Sequence, residues 1–355
     1  MWREVADRAV YGLGVRAGEL VQLRDHSGRW DVVVEMLLAI ERAGATPLPE
    51  FTPPAYLKRL LSEAPISYLL NWDEYRLRWM TEVDRVLVLQ GGGLDVETLD
   101  PDALDAWSSA VQRLTDLEEE RRLPYMLVAV PTPERARSLG MSLSRLERYV
   151  LPALLVSVEE LRDLLDRVLA VVTGARRLTI CSGHGLELHL DRGTRRWLGD
   201  DGRVDEGDRL EGAITSNLPA GALYTTVIEH RTEGQVFIPR AAGAEEVILT
   251  FRGGEIVRVD AAKGADLLEN LLSRHTGDCR RVGHVGIGLN PALKHPIGWT
   301  VVDEHVYGAL FLSLGENRYM GGENESSLNV DFALPGATLL ADGHPVVAGG
   351  KLLVA

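Results

Sequence analysis

The segment GGENESSLNVDFALPG, residues 321–336, contains polar residues whose spacing could do chemistry. Asn329, Val330 and Asp331 alternate polar, apolar and acidic at the period of a strand, so Asn329 and Asp331 point to the same face. A carboxylate beside a carboxamide could form a binding site, could be what remains of a metal site, or could simply end a strand. These two residues alone leave all three interpretations open.

Common hydrolase and cofactor motifs are missing from the sequence. No GxSxG nucleophile elbow occurs, and CSGHG puts Ser182 beside His184 in an expected hairpin, which is not evidence for a catalytic triad. The HExxH spacing of zinc proteases is also absent. The glycines of GLGVRAGE, residues 12–19, precede a strand, whereas a dinucleotide-binding loop must follow one. We therefore predict no nicotinamide cofactor.

The elements that would position Asn329 and Asp331 fall into two groups. In the first part of the chain, strand patterns such as GELVQLRD, DRVLVLQGGG and PYMLVAVPTP alternate with helical patterns such as GRWDVVVEMLLAIERAG and DPDALDAWSSAVQRLTDLEEERR. This alternation predicts an α/β domain with a doubly wound, mostly parallel sheet and helices on both faces. Ligands of such sheets sit at the carboxyl ends of the strands.

The pattern changes after the helix SVEELRDLLDRVLAVVTGA, residues 157–175. RRLTICSGHGLELHLDRGTRRWLGDDGRV alternates apolar and polar residues between turns, and EEVILTFRGGEIVRVDA contains a Gly253-Gly254 hairpin turn. We predict a mainly antiparallel β domain with few helices. Because 355 residues is long for one core, we expect two domains, 1–159 and 160–355.

Composition narrows the possible partners. The net charge is −14, from 38 Lys and Arg against 52 Asp and Glu, so the chain should bind neither nucleic acid nor anionic membranes. No segment has the length and apolarity of a secretory signal or a membrane span, which predicts a cytoplasmic protein. Cys181 and Cys279 are 98 positions apart, and we expect two reduced thiols.

Four separated segments follow, in order, the landmarks of a known family. They are NLPAGALYT (217–225), GHVGIGLNP (283–291), DEHVYGALFLSLGENRYMGGENESSLNVDF (303–332) and ATLLADGHPV (337–346). They resemble the thermophilic metallo-aminopeptidases, a family that includes aminopeptidases T and S and is similar to the 2,5-dihydroxypyridine dioxygenases. The resemblance implies an aminopeptidase T-like fold, a cleft between two domains, a small-molecule or peptide-like substrate, and a homodimer.

The resemblance also implies positions for the ligands of two divalent metals, and this chain departs from most of them. Ala222 and His284 stand where the family has glutamates, while Phe311 and Asn329 replace histidines. Asp331 is the ligand that remains. Two dications need several carboxylates to offset their repulsion, and a non-haem iron needs two histidines and a carboxylate. We therefore expect neither a dinuclear peptidase nor a ring-cleaving dioxygenase site.

The favoured hypothesis is an enzyme that acts on a small amide, amino-acid-derived or heterocyclic substrate by metal-independent acid–base chemistry. His284 would be the general base, Asp331 would orient it, and Tyr319 would donate a proton. The expected substrate-binding residues are Asn329, Arg318, Phe311 and Ala222. Glu304 is expected to form a structural salt bridge or turn.

Two alternatives remain from the sequence. A rebuilt mononuclear site could hold Zn, Mn, Co or Fe through His284 and Asp331, with His305 or His295 as third ligand, although we interpret these last two as loop or surface residues. Such a site would support a metal-dependent aminopeptidase or other hydrolase, or a ring-cleaving oxygenase. The chain could also be a non-catalytic binding or partner protein. The sequence identifies neither the substrate nor the type of reaction.

Overall fold

The computed structural model describes residues 1–92, 99–211 and 213–354, so Gly93 of the expected glycine-rich strand end lies outside the described residues. The chain divides into two compact units. The first contains Met1–Leu155 and Gly202–Leu218, and the second contains Val156–Asp201 and the chain from Pro219 onward. The second unit therefore begins at Val156, four residues before the expected start at residue 160. Residues 202–218, from the second half of the chain, belong to the first unit.

The helices and strands alternate along the first part of the chain, and strands dominate the remainder. The helices are α1 Trp2–Gly12, α2 Trp30–Arg42, α3 Pro54–Glu63, α4 Ile66–Leu69, α5 Glu74–Met80, α6 Pro101–Glu120, α7 Pro133–Ser138, α8 Leu143–Leu154, α9 Val158–Val172, α10 Glu206–Glu211, α11 Ala265–Arg274 and α12 Thr300–Asp303. The strands are β1 Leu20–Asp25, β2 Thr46–Phe51, β3 Arg85–Gln90, β4 Tyr125–Ala129, β5 Arg177–Cys181, β6 Glu187–Asp191, β7 Trp197–Asp200, β8 Thr215–Leu218, β9 Ala222–Thr226, β10 Glu233–Ala241, β11 Ala244–Arg252, β12 Glu255–Asp260, β13 Val282–Gly288, β14 Leu310–Gly315, β15 Asn329–Leu334, β16 Thr338–Ala341, β17 His344–Ala348 and β18 Lys351–Leu352.

The first unit is built on a parallel sheet, which confirms the predicted α/β class. Its strands lie in the order β2-β1-β3-β4-β8, and each adjacent pair runs parallel. The central strand β3 is almost entirely buried, as its continuous apolar sequence predicts. The edge strand β8 comes from the returning segment, whose four residues gave too weak a pattern to be assigned to this sheet from sequence.

The second unit contains two antiparallel sheets, as the hairpin patterns predict. One has the order β12-β11-β10-β6-β5-β16-β17-β18, and the other has the order β15-β14-β13-β9-β7. Apolar side chains of both sheets and of α9 form one buried cluster, so the two sheets share a core. Both cysteines are free, and among the described residues no helix is long and apolar enough to cross a membrane.

The predicted hairpin turn joins β11 to β12 through two glycines with positive φ, 58° at Gly253 and 85° at Gly254. A Cβ added at Gly253 would meet no atom within 4 Å, whereas a Cβ at Gly254 would overlap the carbonyl oxygen of Glu229. Both positions therefore favour glycine for its backbone conformation, but only Gly254 also needs the missing side chain.

This difference gives a matched pair of variants. We expect Gly253→Ala to lower the free energy of unfolding by about 1–2 kcal/mol, because its only cost is the left-handed backbone. We expect Gly254→Ala to cost about 1–3 kcal/mol more, because the backbone of Glu229 must also move. Urea unfolding at neutral pH measures both, and equal costs would contradict the close approach.

Candidate functional site

One face of the smaller antiparallel sheet brings together most of the residues expected to do chemistry. Phe311 on β14 pairs with Gly286 on β13. Further along β14, Ser313 pairs with Asp331 on β15. His284 precedes Gly286 by two residues, so its side chain lies on the same face. By the same alternation, this face also carries Ala222, Tyr224 and Asn329.

His284 and Asp331 are in direct contact on this face. Nε2 of His284 lies 3.1 Å from Oδ1 of Asp331, and their side chains are 8% and 19% exposed. Neither that oxygen nor Nδ1 of His284 has a hydrogen-bond partner among the described residues, so the contact lacks the alignment of a full hydrogen bond. Such contacts in ligand-free sites often tighten when substrate binds.

His284 lies in a β-bulge. Between Val282 and Val285, β13 has one residue more than the facing segment of β14. A bulge leaves ladder groups unpaired and re-aims nearby side chains, and bulges are common beside active sites. The pairing of β13 with β9 stays regular through His284, so the irregularity is confined to the side of β13 that faces β14.

Two buried asparagines satisfy the backbone carbonyls around this bulge. Asn317 donates from Nδ2 to the carbonyl of Gly283 at 2.8 Å. Asn324 donates from Nδ2 to the carbonyls of Val282 and Gly315, both at 3.0 Å. The two asparagines are also joined, because the backbone N–H of Asn324 donates to Oδ1 of Asn317 at 2.8 Å. The loop between β14 and β15 is thereby fixed to the bulge.

That loop carries Tyr319 and Arg318, and the two have different partners. Nδ2 of Asn329 donates to the Tyr319 hydroxyl at 2.9 Å, and the hydroxyl of Ser313 donates to Oδ1 of Asn329 at 3.2 Å. Arg318 instead pairs with Glu316 at 2.9 Å and with Glu325 at 3.5 Å. The guanidinium of Arg318, which was expected to bind substrate, therefore engages carboxylates of its own loop.

Aromatic rings enclose the imidazole of His284. Phe311 meets it edge-on with ring centroids 5.8 Å apart, and Tyr224 lies tilted at 5.7 Å. The ring of Phe311 covers Gly286, where an added Cβ would overlap it. Phe311, expected to bind substrate, therefore forms an apolar wall beside the imidazole, while Ala222 is only 2% exposed and lies within the sheet packing.

Glu304 and His305 belong to the same group of charges, although the sequence interpretation placed Glu304 in a structural salt bridge or turn and His305 in a loop or at the surface. His305 lies in a turn and is only 1% exposed, so it is a buried loop residue, whereas His295 is exposed as expected. Nε2 of His305 lies 3.4 Å from Oε1 of Glu304. Burial opposes charge on His305, but Glu304 and Asp200 outweigh it and raise its pKa.

The electrostatics link Glu304 to the first pair. Burial raises the pKa of Glu304 and the negative charge of Asp331 adds to this, while His305 and His284 act in the opposite direction. Glu304 therefore holds a proton more readily than an exposed glutamate. The available signal was the position of both charged residues inside VVDEHVYGALF, a segment otherwise dominated by apolar residues.

The donor set does not fit two divalent metal ions. Alanine, phenylalanine and asparagine occupy three of the positions implied as ligands, and the remaining His284 and Asp331 face each other. Within residues 1–92, 99–211 and 213–354, no group of three or more His, Cys, Asp or Glu is arranged to hold a metal ion. Two carboxylates, Asp331 and Glu304, would have to offset the mutual repulsion of the cations.

Comparison with solved structures identifies the class of fold. The chain is similar to wild-type AmpT from Thermus thermophilus, with a TM-score of 0.77, 21% identity and coverage of 99% of each chain. It is also similar to 2,5-dihydroxypyridine dioxygenase from Pseudomonas putida KT2440, with a TM-score of 0.61, 15% identity and coverage of 100% of this chain and 97% of the other. At these identities the similarity establishes the fold.

The family follows from a second comparison. Residues 4–344 match the model of the thermophilic metalloprotease (M29) family, and the chain belongs to that family. Among curated proteins, none matches the chain. The resemblance inferred from the separated motifs is therefore confirmed over nearly the whole sequence.

The hydrogen bonds at the bulge predict that Asn317 contributes substantially to the free energy of unfolding. Asn317→Ala leaves the carbonyl of Gly283 without its donor, and we expect the free energy of unfolding to fall by about 1–3 kcal/mol. Asn270→Ala, at an exposed position of α11, is the control and should change it by less than about 0.5 kcal/mol. Chemical denaturation compares the two, and similar small effects would show that the bulge does not depend on Asn317.

Asp303 directly precedes Glu304, and its pKa predicts that the free energy of unfolding depends on pH. Its carboxylate accepts backbone N–H groups of Ile297 and Gly298, each at 2.7 Å, yet burial raises its pKa to about 6. Because this pKa exceeds the ordinary value of 3.8, the group favours folding at low pH and loses that contribution as the pH rises through about 6.

We therefore expect the unfolding free energy of the wild type, relative to Asp303→Asn, to fall between pH 4 and 7. The decrease should be at most about 3 kcal/mol, since one pKa unit corresponds to about 1.4 kcal/mol. Urea unfolding of both proteins across this range measures the difference. A difference that stays constant or grows with pH would contradict the raised pKa.

Proposed function

We propose that the chain is an enzyme that acts on a small amide, amino-acid-derived or heterocyclic substrate by acid–base chemistry without two metal ions. The observation that carries the proposal is the contact between His284 and Asp331 at 3.1 Å. It lies beside the aromatic wall of Phe311 and near Tyr319 and Asn329. The reaction would belong to a specialised biosynthetic or catabolic sequence.

The pair would work as one acid–base unit. Asp331 is the more exposed member, so the roles expected from sequence would be exchanged: substrate would reach the pair at the carboxylate of Asp331, while His284 would support it from inside the sheet. The pair takes a proton from a water molecule as the water oxygen bonds to the amide carbon. When the carbon–nitrogen bond breaks, the pair returns that proton to the departing nitrogen. The proton count is then balanced, and the enzyme is restored.

Tyr319 and Asn329 would stabilise the charge that develops on the carbonyl oxygen. The amide group of Asn329 donates to the phenol oxygen of Tyr319 at 2.9 Å, which makes the phenol a better donor to a third group. A phenol directed at the developing oxyanion would lower the barrier, as donors of this kind do in acyl transfer. Glu304, whose pKa is raised by burial, adds a second group that takes up a proton more readily than an exposed glutamate.

Two further parts of the proposal, the peptide-like substrate and the homodimer, come from the family resemblance. The M29 family is described as metalloproteases, and a peptide-like substrate is consistent with that description. The homodimer and the cytoplasmic location remain predictions. The enclosed surroundings of His284, between the rings of Tyr224 and Phe311, favour a small substrate over a folded protein.

The test is turnover of a panel of aminoacyl p-nitroanilides, primary amides and cyclic amides by protein whose metal content has been measured. We expect Asp331→Asn and His284→Gln each to lower kcat by about 10²- to 10⁴-fold, the contribution typical of a positioned acid–base group. His344→Ala, on the exposed start of β17, should leave the rate unchanged. Circular dichroism verifies that each variant is folded.

The remaining outcomes separate the alternatives. Activity that requires added Zn²⁺, Mn²⁺, Co²⁺ or Fe²⁺ and is abolished by a chelator would replace this proposal with a rebuilt mononuclear metal site. Absence of turnover across the whole panel would favour a non-catalytic binding protein. Full activity of Asp331→Asn would remove the pair from the mechanism.

A further inference from the structure

The first unit has a cavity at the carboxyl edge of its parallel sheet. Its volume is about 240 Å³, and it is lined by residues at the ends of three adjacent strands, including His26 after β1, Glu50 in β2 and Gln90 in β3. The strand order β2-β1-β3 means that the chain leaves β1 to one side for β2 and continues on the other side with β3. Such a switch point is where doubly wound sheets bind ligands.

Aromatic and aliphatic side chains form one part of the wall. Trp72 and Trp107 both line the cavity and meet edge to face, with ring centroids 6.1 Å apart. Leu57 of α3 and Leu114 of α6 add aliphatic surface. The indole N–H groups of both tryptophans are buried and have no acceptor among the described residues.

The charged residues of the cavity lining, Arg24 and Glu50, are paired with opposite charges on neighbouring residues. Glu50 accepts from Nε of Arg76 at 2.5 Å and from Nε2 of Gln22 at 3.0 Å. Oε1 of Gln22 accepts from Nε of Arg24 at 3.0 Å, and Arg24 also forms an ion pair with Glu118. Two arginines and two glutamates therefore form one chain of contacts with no net charge. Its members are held in place before any ligand enters.

One further contact fixes the orientation of an aromatic ring in the cavity wall, and another supplies uncharged polar groups. The guanidinium of Arg76 stacks on the Trp72 ring, 3.5 Å from its centroid, which fixes the plane of that ring. Burial lowers the pKa of His26, and nearby Arg24 acts in the same direction, which favours the neutral imidazole. Its side chain is hydrogen-bonded to Gln90. Neutral imidazole and carboxamide groups each offer both a donor and an acceptor.

We propose that this cavity binds a small, flat, uncharged heteroaromatic molecule of one or two rings. The tryptophans and aliphatic side chains would contact its faces and edges, and His26, Gln90 and Thr52 would hydrogen-bond its ring nitrogens or carbonyl groups. The volume lies below the roughly 300–1,000 Å³ of pockets for drug-sized ligands, which limits the ligand to this size. The site lies in the first unit, whereas His284 belongs to the second.

The experiment is calorimetric titration of the full chain with adenine and nicotinamide as uncharged ring probes, and with benzoate as a charged probe of similar size. We expect adenine or nicotinamide to bind with a dissociation constant of about 1 mM or tighter, on the order of the affinity that one small apolar pocket supplies. Benzoate should bind at least about tenfold more weakly, because the cavity offers no uncompensated positive charge.

Substitutions then test the location. Val111→Trp on α6 places a large side chain in the cavity lining and should weaken binding of the uncharged probe at least tenfold. Ser108→Trp, on the exposed face of the same helix, is the matched control and should bind like the wild type. Thr115→Phe provides a second cavity-filling variant if Val111→Trp does not fold. His284→Ala should also retain binding, which distinguishes this cavity from the proposed catalytic site.

Several results would overturn the proposal. One is the absence of binding by either uncharged probe at millimolar concentration. Another is binding that survives in the folded cavity-filling variants, or that is lost in His284→Ala. Equal affinity for benzoate would show that charge compensation in the cavity does not select the ligand. Failure of the catalytic proposal would leave all of these measurements unaffected, because they follow binding and not turnover.

Discussion

The bulge in β13 is the constraint on which the candidate site depends. It adds a residue to β13 next to His284 while the pairing with β9 stays regular. Carbonyls left out of the ladder would cost about 1–3 kcal/mol each, so the fold needs Asn317 and Asn324 as donors. Those donors lie in the loop that carries Tyr319. The bulge thus positions the imidazole of His284, and the asparagines that it requires hold the loop that carries the phenol of Tyr319.

Strand register explains why the site is coherent in spite of its unusual residues. Side chains alternate between faces, so a slip of one residue would turn Asp331 or Phe311 to the opposite side. The covered Gly286 reinforces the register, because the ring of Phe311 occupies the space that a Cβ would take. The face therefore keeps one arrangement in this chain, in which His284 contacts Asp331.

The sequence was sufficient for the fold because the long patterns were strong. The apolar run of β3 and the Gly253-Gly254 turn identified a parallel and an antiparallel region, and separated motifs identified the family. The sequence was insufficient where the position or partner of a residue depends on tertiary contacts. β8 is too short to reveal its parallel partner β4, and the apolar segment around His305 indicates burial without showing that Asp200 acts on its charge. The partners of Arg318 likewise depend on how its own loop folds back.

The charged residues at the cavity of the first unit and those around His284 are compensated in different ways. This difference affects which function each group of residues suits. In the first unit, Arg24 meets Glu118 and Glu50 meets Arg76, so fixed opposite charges cancel and no proton needs to move. In the second unit, burial raises the pKa of Glu304 and the negative charge of Asp331 adds to this, so the site favours a proton on Glu304 over a second negative charge. Fixed, compensated charges suit selective binding of an uncharged molecule. A cluster balanced by protons suits proton transfer, because a substrate that alters one charge redistributes the protons among the others.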